Sequence, residues 1–238
     1  METFDQATIG NKLLALLPPA DFGQLAPDLE HVVLPRGTPI CSAGQPIQFV
    51  YFLTSGMASV VAETPEGHRA EAGVFGLEGF IPTSAGAAVE VSPHDVGIQI
   101  DGDGYSISYE AFRHCMDSNR NVSRLMSRAM EAFAVQLAYT AVSNSLHDVT
   151  ERLARWLLMC HDRVQGNEVG LTHEFLSLML AVRRPSVTTS LHVLEGNGFI
   201  KADRGNIVIR NRAALEEFAH DAYGKPEEEY RRLMRDVF

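Results

Sequence analysis

Near Arg113 the chain changes its hydrophobic period, and that change fixes most of what it can fold into. From His31 to Tyr109 the segments HVVL, TPIC, FVYFL, ASVVA, AEAGVF, VGIQI and YSISY are rich in β-branched and aromatic residues. Turn clusters such as PRG, SAGQP, TPEGH and DGDG separate them. Short strands at regular spacing with Gly and Pro between them build an antiparallel barrel or sandwich, and TPEGHR reads as a hairpin connection. After Arg113 the spacing becomes helical: Leu125, Ala129, Phe133, Leu137 and Ala141 recur every four residues, with Met126, Met130, Ala134, Ala138 and Val142 beside them. A helix over this stretch would be ~35 Å long. The expected fold class is α+β: an antiparallel β-roll (jelly roll) over 1–118, a long helix over 119–145 and a helical C-terminal domain over 146–238.

Packing on one β domain would use only part of so long an apolar stripe. Its small and sulfur-containing residues suit close helix pairing, so the helix is expected to join two copies. The predicted dimer face is Leu125, Met126, Ala129, Met130, Phe133, Leu137 and Ala141.

The formal net charge of −10 divides unevenly. Residues 1–112 hold 14 acids against three bases, Lys12, Arg36 and Arg69, whereas residues 113–238 hold 16 acids and 17 bases. Within 171–212 there are six bases (Arg183, Arg184, Lys201, Arg204, Arg210, Arg212) against three acids (Glu174, Glu195, Asp203). Such an asymmetry points to nucleic acid met through the C-terminal part alone. Cys41, Cys115 and Cys160 share no metal-ligand spacing and read as reduced, buried thiols. Residues 1–5 carry two acids and no base, and no apolar run approaches the ~18 residues needed to span a bilayer. A cytoplasmic protein without a membrane partner is expected.

LTHEFLSLML offers Thr172 as an N-cap before a short helix with Phe175, Leu178 and Met179 facing inward. Ala181 to Arg183 then connect it to a helix opened by Pro185, and two short helices with a tight turn suggest a helix-turn-helix. At 100° per residue Val187, Leu191 and Leu194 share one face of the second helix, while Pro185, Thr189, His192 and Gly196 lie opposite. Gly198 can end the helix in the left-handed conformation. FIKADRGNIVIR alternates about a turn as a wing, with Lys201, Arg204 and Arg210 available to phosphates. Arg183 and Arg184 stand where a recognition helix meets DNA, able to reach guanine or a phosphate. Thr189 and His192 can touch base edges, and Thr172, Ser186 and Thr188 complete the candidate DNA-binding set.

With these parts in this order, the chain resembles the Crp/Fnr family of bacterial transcription regulators over nearly its whole length. LHDVTERLARWLL and LTHEFLSLMLAVRRPSVTTSLHVLEGNGFI, with the wing, are the specific part of the likeness. The resemblance implies a homodimer that inserts one helix per subunit into successive major grooves and reads an inverted repeat of double-stranded DNA. It puts Arg184 and Thr189 in the base-reading slots, with Arg183, Ser186 and His192 beside them. RNA polymerase would be a further partner if the protein activates transcription. Pro185 stands where other members place a glutamate, so their operator sequences do not transfer.

The resemblance also defines an effector pocket at Glu78, Ser92, Leu137 and Ala138. In members that bind cyclic nucleotides, a Gly-Glu pair meets the ribose and an Arg followed by Ser or Thr meets the phosphate. Here the second slot reads Ser92-Pro93, and Leu137 and Ala138 replace adenine-contacting hydroxyls. From Ala70 to Phe112 there is no Lys or Arg, against seven acids. A phosphate buried among carboxylates costs several kcal/mol. Cyclic AMP is therefore predicted not to be the effector, and no cofactor is predicted. Iron–sulfur sensing lacks its N-terminal cysteines, since none precedes Cys41, and His68 and His94 are isolated haem-ligand candidates. An apolar or uncharged small molecule, a partner protein and no ligand at all remain open, as do operator, pathway and sign of regulation. A β-barrel metal enzyme is disfavoured because His31, His68 and His94 form no HxH pair. An adaptor of the same fold without DNA binding is disfavoured by the basic entry to the second helix.

Overall fold

The computed structural model describes residues 6–203 and 205–238. In chain order the elements are α1 (Lys12–Leu16), α2 (Pro19–Leu25), β1 (Glu30–Leu34), β2 (Pro39–Cys41), β3 (Phe49–Leu53), β4 (Met57–Glu63), β5 (Arg69–Phe75), β6 (Asp95–Ile100) and β7 (Gly102–Ser108). Then follow α3 (Tyr109–Ser118), α4 (Arg120–Leu146), α5 (Val149–His161), β8 (Glu168–Val169), α6 (His173–Leu180), α7 (Arg184–Gly196), β9 (Ile200–Asp203), β10 (Asn206–Ile209), α8 (Arg212–Ala219) and α9 (Lys225–Arg235). The sheets have strand orders β1-β7-β3, β2-β6-β4-β5 and β8-β10-β9. A mixed fold with antiparallel sheets, a long helix and a C-terminal helix-turn-helix is what the two periods predict. All seven strands expected before Arg113 form.

DGDG, expected as a turn, instead opens β7. Register explains it: Gly104 lies opposite Leu53 and Val32, and a Cβ on Gly102 would come within 2.2 Å of the Ser55 carbonyl oxygen. A Cβ on Gly104 would come within 2.5 Å of the Phe52 carbonyl oxygen. Glycine serves here for close backbone approach rather than for a reversal.

The chain groups into two compact units that do not follow linear order. One holds the described residues up to Val60, Phe75–Ala134 and Glu229–Phe238; the other holds Val61–Val74 and Val135–Glu228. These boundaries differ from 118 and 146, which mark changes of hydrophobic texture rather than of contact.

The first unit is centred on Phe52, Phe80 and Phe112, whose ring centroids lie 5.4–6.3 Å apart. Each ring is fully buried and contributes about 1.5–3 kcal/mol by leaving water. Val122, Leu125, Met126, Ala129 and Ala132 on α4 join that core, and Phe133 stacks on Phe75 at 4.1 Å. Ser108 caps α3 by accepting the Ala111 N–H at 3.2 Å.

The second unit is built around α5. Leu153 to Cys160 are all buried, the mark of a helix enclosed on every side. A capping box starts it: the Asp148 carboxylate accepts from the Thr150 and Glu151 amides, and Glu151 accepts from the Asp148 amide at 2.8 Å. Against α5 pack α6, α7 and α8, with Phe199 and Phe218 5.5 Å apart nearby.

Candidate nucleic-acid interface

The helix pair α6–α7 turns through Ala181 to Arg183, the three residues expected to connect it. Thr172 caps α6 by accepting the Phe175 N–H at 3.2 Å. α6 ends in a Schellman turn: Ala181 sits left-handed at φ 51°, and the Val182 N–H donates to the Ser177 carbonyl at 3.0 Å. An alanine there carries Cβ strain of roughly 1–2 kcal/mol that glycine would not. The inward residues of α6 are Leu176, Met179 and Leu180. Phe175 and Leu178, expected inside with Met179, are only half-buried. The run FLSLML is apolar nearly all round, so its spacing does not select a face.

On α7 the spacing does select. Val187, Leu191 and Leu194 are buried, and Pro185, Thr189, His192 and Gly196 are exposed. Gly198 closes the helix at φ 74°, with the Phe199 N–H donating to the Leu194 carbonyl at 3.1 Å. At the other end Arg183 is the N-cap residue, and no side chain caps the first turn. Arg183 and Arg184 are exposed, and neither forms an ion pair among the described residues. An uncapped N-terminus flanked by two free guanidiniums favours an anion through both its amides and its charge.

The other predicted contacts are placed as follows. Thr172, Thr189 and His192 are exposed, and Ser186 is half-buried. The Thr189 hydroxyl donates to the Pro185 carbonyl at 3.1 Å. The Thr188 hydroxyl is engaged within the unit, 3.2 Å from both the Arg184 carbonyl and His173 Nδ1. Lys201 is exposed but pairs with Asp203 at 2.9 Å. Arg204 lies outside the described residues.

A cleft of about 520 Å³ gathers Thr172, Arg184 and His192 from this set, together with His173, Glu174, Glu195 and Asp203. No sequence pattern announces that these three acids share a cleft with Arg184. Glu195 has a local duty, since its carboxylate accepts the Ala202 N–H at 3.1 Å and ties α7 to β9. β8, not expected from the sequence, pairs with β10 and makes the wing three-stranded.

Residues 151–218, which contain this whole arrangement, match the family described as the Crp-like helix-turn-helix domain. This segment resembles a Crp-like helix-turn-helix. The wider chain has the Crp/Fnr fold, as three solved structures show. A transcriptional regulator of the Crp/Fnr family from Eubacterium rectale is 20% identical with TM-score 0.67, over 87% of this chain and 97% of that one. FixK2 from Bradyrhizobium japonicum is 17% identical with TM-score 0.65, over 81% and 98%. The c-di-GMP-responsive regulator CLP from Xanthomonas campestris is 17% identical with TM-score 0.63, over 81% and 99%. No curated protein matches the chain. In the described residues no helix is long and apolar enough to cross a membrane.

The residues that the resemblance assigns to an effector pocket lie in different surroundings. Ser92 is buried, and its hydroxyl donates to the His94 carbonyl at 2.7 Å and lies 3.2 Å from Cys41 Sγ. Burial raises the Cys41 thiol above its ordinary value. Glu78 and Leu137 are half-buried, and Ala138 is exposed. The first base after the Ser92-Pro93 slot, Arg113, turns its guanidinium to the Ala85 and Gly86 carbonyls at 3.4 and 3.3 Å and also pairs with Asp117.

Along α4 the expected dimer face is divided. Leu125, Met126 and Ala129 are buried in the chain's own core, Met130, Phe133 and Leu137 are half-buried, and Ala141 is exposed. Ala134, Ala138, Ala141, Val142 and Ser145 form the exposed small-residue face, at spacings of three and four.

Proposed function

We propose that the protein is a transcription regulator that binds inverted-repeat operator DNA as a homodimer, with α7 of each subunit entering the major groove. The observation that carries this is the free, doubly basic and uncapped start of α7 within a Crp-like helix-turn-helix. Arg184 and Thr189 read base edges, Arg183 and the α7 amides hold phosphate, and Ser186 and His192 flank them. The copies pair along α4 through Ala134, Ala138, Ala141, Val142 and Ser145. The three residues Leu125, Met126 and Ala129 leave the pairing face because the chain's own core covers them. Two heads presented ~34 Å apart then meet one face of the duplex.

The sensor half does not take cyclic AMP. Two observations support this: the Ser92 hydroxyl is committed internally, and Arg113 is committed to carbonyls and to Asp117. The test is a selection of bound genomic fragments by the purified protein at two salt concentrations. Enrichment of one inverted repeat at both is expected. A folded protein that retains no fragment at low salt refutes the reading, and micromolar binding of cyclic AMP by calorimetry refutes the statement about the sensor.

A further inference from the structure

Glu71 is a carboxylic acid inside the second unit. It sits on β5, within Val61–Val74, and is 8% exposed. The Trp156 indole N–H of α5 donates to its Oε1 at 2.6 Å. Its Oε2 is buried without a hydrogen-bond partner among the described residues. Charged groups from three parts of the unit surround it. From α5 come Arg155, 6% exposed, and the fully buried Cys160 thiol. Beyond α5 lies Arg163, whose Nη1 donates to the Met159 carbonyl at 2.7 Å, and beside it Asp162. Glu227 of α9 acts on both arginines. From α4 come neutral groups: Gln136, whose amide brackets the Val74 backbone at 2.7 and 3.1 Å, and Thr140, which accepts from Arg155 at 3.2 Å.

Neither arginine bonds to the carboxyl, so the seat suits an uncharged acid. Burial pushes Glu71 up to about 8, against the pull of the Trp156 hydrogen bond and of the two arginines. α5 in turn carries the reading head: Thr150 Oγ1 lies 3.1 Å from Ser190 Oγ of α7, and the Arg152 guanidinium donates to the Leu180 carbonyl that ends α6.

We infer that Glu71 is a proton-operated positioning residue: with its proton it seats the 61–74 segment on Trp156 and holds α5 in register with α6 and α7, and on losing the proton it leaves that seat. Oε2 has no partner in either state, but ionisation adds a buried charge that no hydrogen bond to this oxygen offsets, so the ionised form favours a rearranged contact. A loosened α5 presents a less pre-organised α7, which weakens DNA binding.

Trp156 is the chain's single tryptophan, so its emission reads the contact directly. The full chain and E71Q are titrated through the window centred on about pH 8. E71Q keeps an acceptor for the indole but cannot ionise. The wild type is expected to show an emission change centred in that window, and E71Q a flat trace. A flat wild-type trace, or the same transition in E71Q, overturns the inference. If E71Q fails to fold, carboxyl ¹³C resonances of the wild type decide: a glutamate carboxyl titrating alkaline of neutrality supports the latch, and none overturns it. The coupling to DNA rests on the regulator reading and is measured separately, on duplex from the fragment selection. One linked proton lets affinity fall by up to about tenfold per pH unit above the midpoint in the wild type but not in E71Q. Parallel affinities for the two proteins overturn the coupling. Emission needs no DNA, so failure of the latch and failure of the regulator reading are told apart.

Discussion

Replacing Ala138 by glutamate separates the pairing of two chains from the folding of one. Ala138 is exposed in the single chain, and so are Ala134 and Ala141 on the same face of α4. On an exposed helical surface Ala→Glu stays within about 0.5 kcal/mol of neutral, because glutamate is a good helix former and its charge remains in water. In a helix pair closed over small residues, each copy instead buries a carboxylate with no cation opposite. An uncompensated buried charge costs about 3–5 kcal/mol, and two-fold symmetry imposes it twice. Even about 3 kcal/mol per copy totals about 6 kcal/mol, or roughly four orders of magnitude in the dimer dissociation constant. Sedimentation equilibrium over a concentration series measures that constant, and a thermal melt followed by circular dichroism checks the fold. The expected result is a folded monomer where the wild type is a dimer. Phe133→Asp is the poorer probe, because Phe133 stacks on Phe75 within its own unit at 4.1 Å and its loss would damage the fold. An A138E protein that sediments as the wild-type dimer refutes pairing through this face of α4.

Arg184→Ala is expected to lose about 1–3 kcal/mol of preference for the cognate site, read by competition between specific and random duplexes. Equal losses on both would make Arg184 a phosphate contact. Ala181→Gly removes the left-handed strain at φ 51° and, after the entropy glycine adds to the unfolded chain, should raise stability by roughly 0.5–1 kcal/mol. A higher urea midpoint at unchanged slope checks it. The folded chain holds the Glu71 proton more tightly than the unfolded chain, so its contribution is complete below the ordinary 4.5 and is lost as pH rises through about 8. Across that span wild type should lose up to about 5 kcal/mol relative to E71Q, at about 1.4 kcal/mol per pH unit; parallel denaturation curves would show that Glu71 does not titrate there.

What the sequence showed depended on whether one period and one face could be read together. The strands were legible because alternating β-branched and aromatic residues ran between turn residues, and α7 was legible because Val187, Leu191 and Leu194 are its only aliphatic choices for an inward face apart from the exposed Val193. α6 was legible as a helix but not in phase, since FLSLML offers apolar residues on every side. The α4 stripe shows a more general ambiguity. Periodicity marks an apolar face without saying what covers it, and here the first turns went to the chain's own Phe52 core rather than to a second copy. DGDG misled because glycine answers two needs, a reversal and a close backbone approach. The two-residue β8 has no periodicity to find. The Trp156–Glu71 contact joins positions 85 apart, and no local pattern announces it.

Six bases against three acids within 171–212 give the sign of this segment but not its distribution, and the distribution governs how the head would meet DNA. Of the six bases within 171–212, Lys201 is paired with Asp203, Arg212 is held by Asp162 and Glu216, and Arg204 lies outside the described residues. Arg183, Arg184 and Arg210 remain exposed without an ion pair among the described residues. Two of these three flank one end of α7, while Glu174, Glu195 and Asp203 line the cleft beside it. Phosphate is therefore welcome at the α7 N-terminus and opposed in the adjoining cleft, which fixes orientation more strongly than it adds affinity. With Arg183 and Arg210 meeting phosphate in each of two heads, log K should fall against log salt with a slope of about −4. A head that relied on a broad basic surface would give a much steeper slope, and its variants at Arg183 and Arg184 would matter far less.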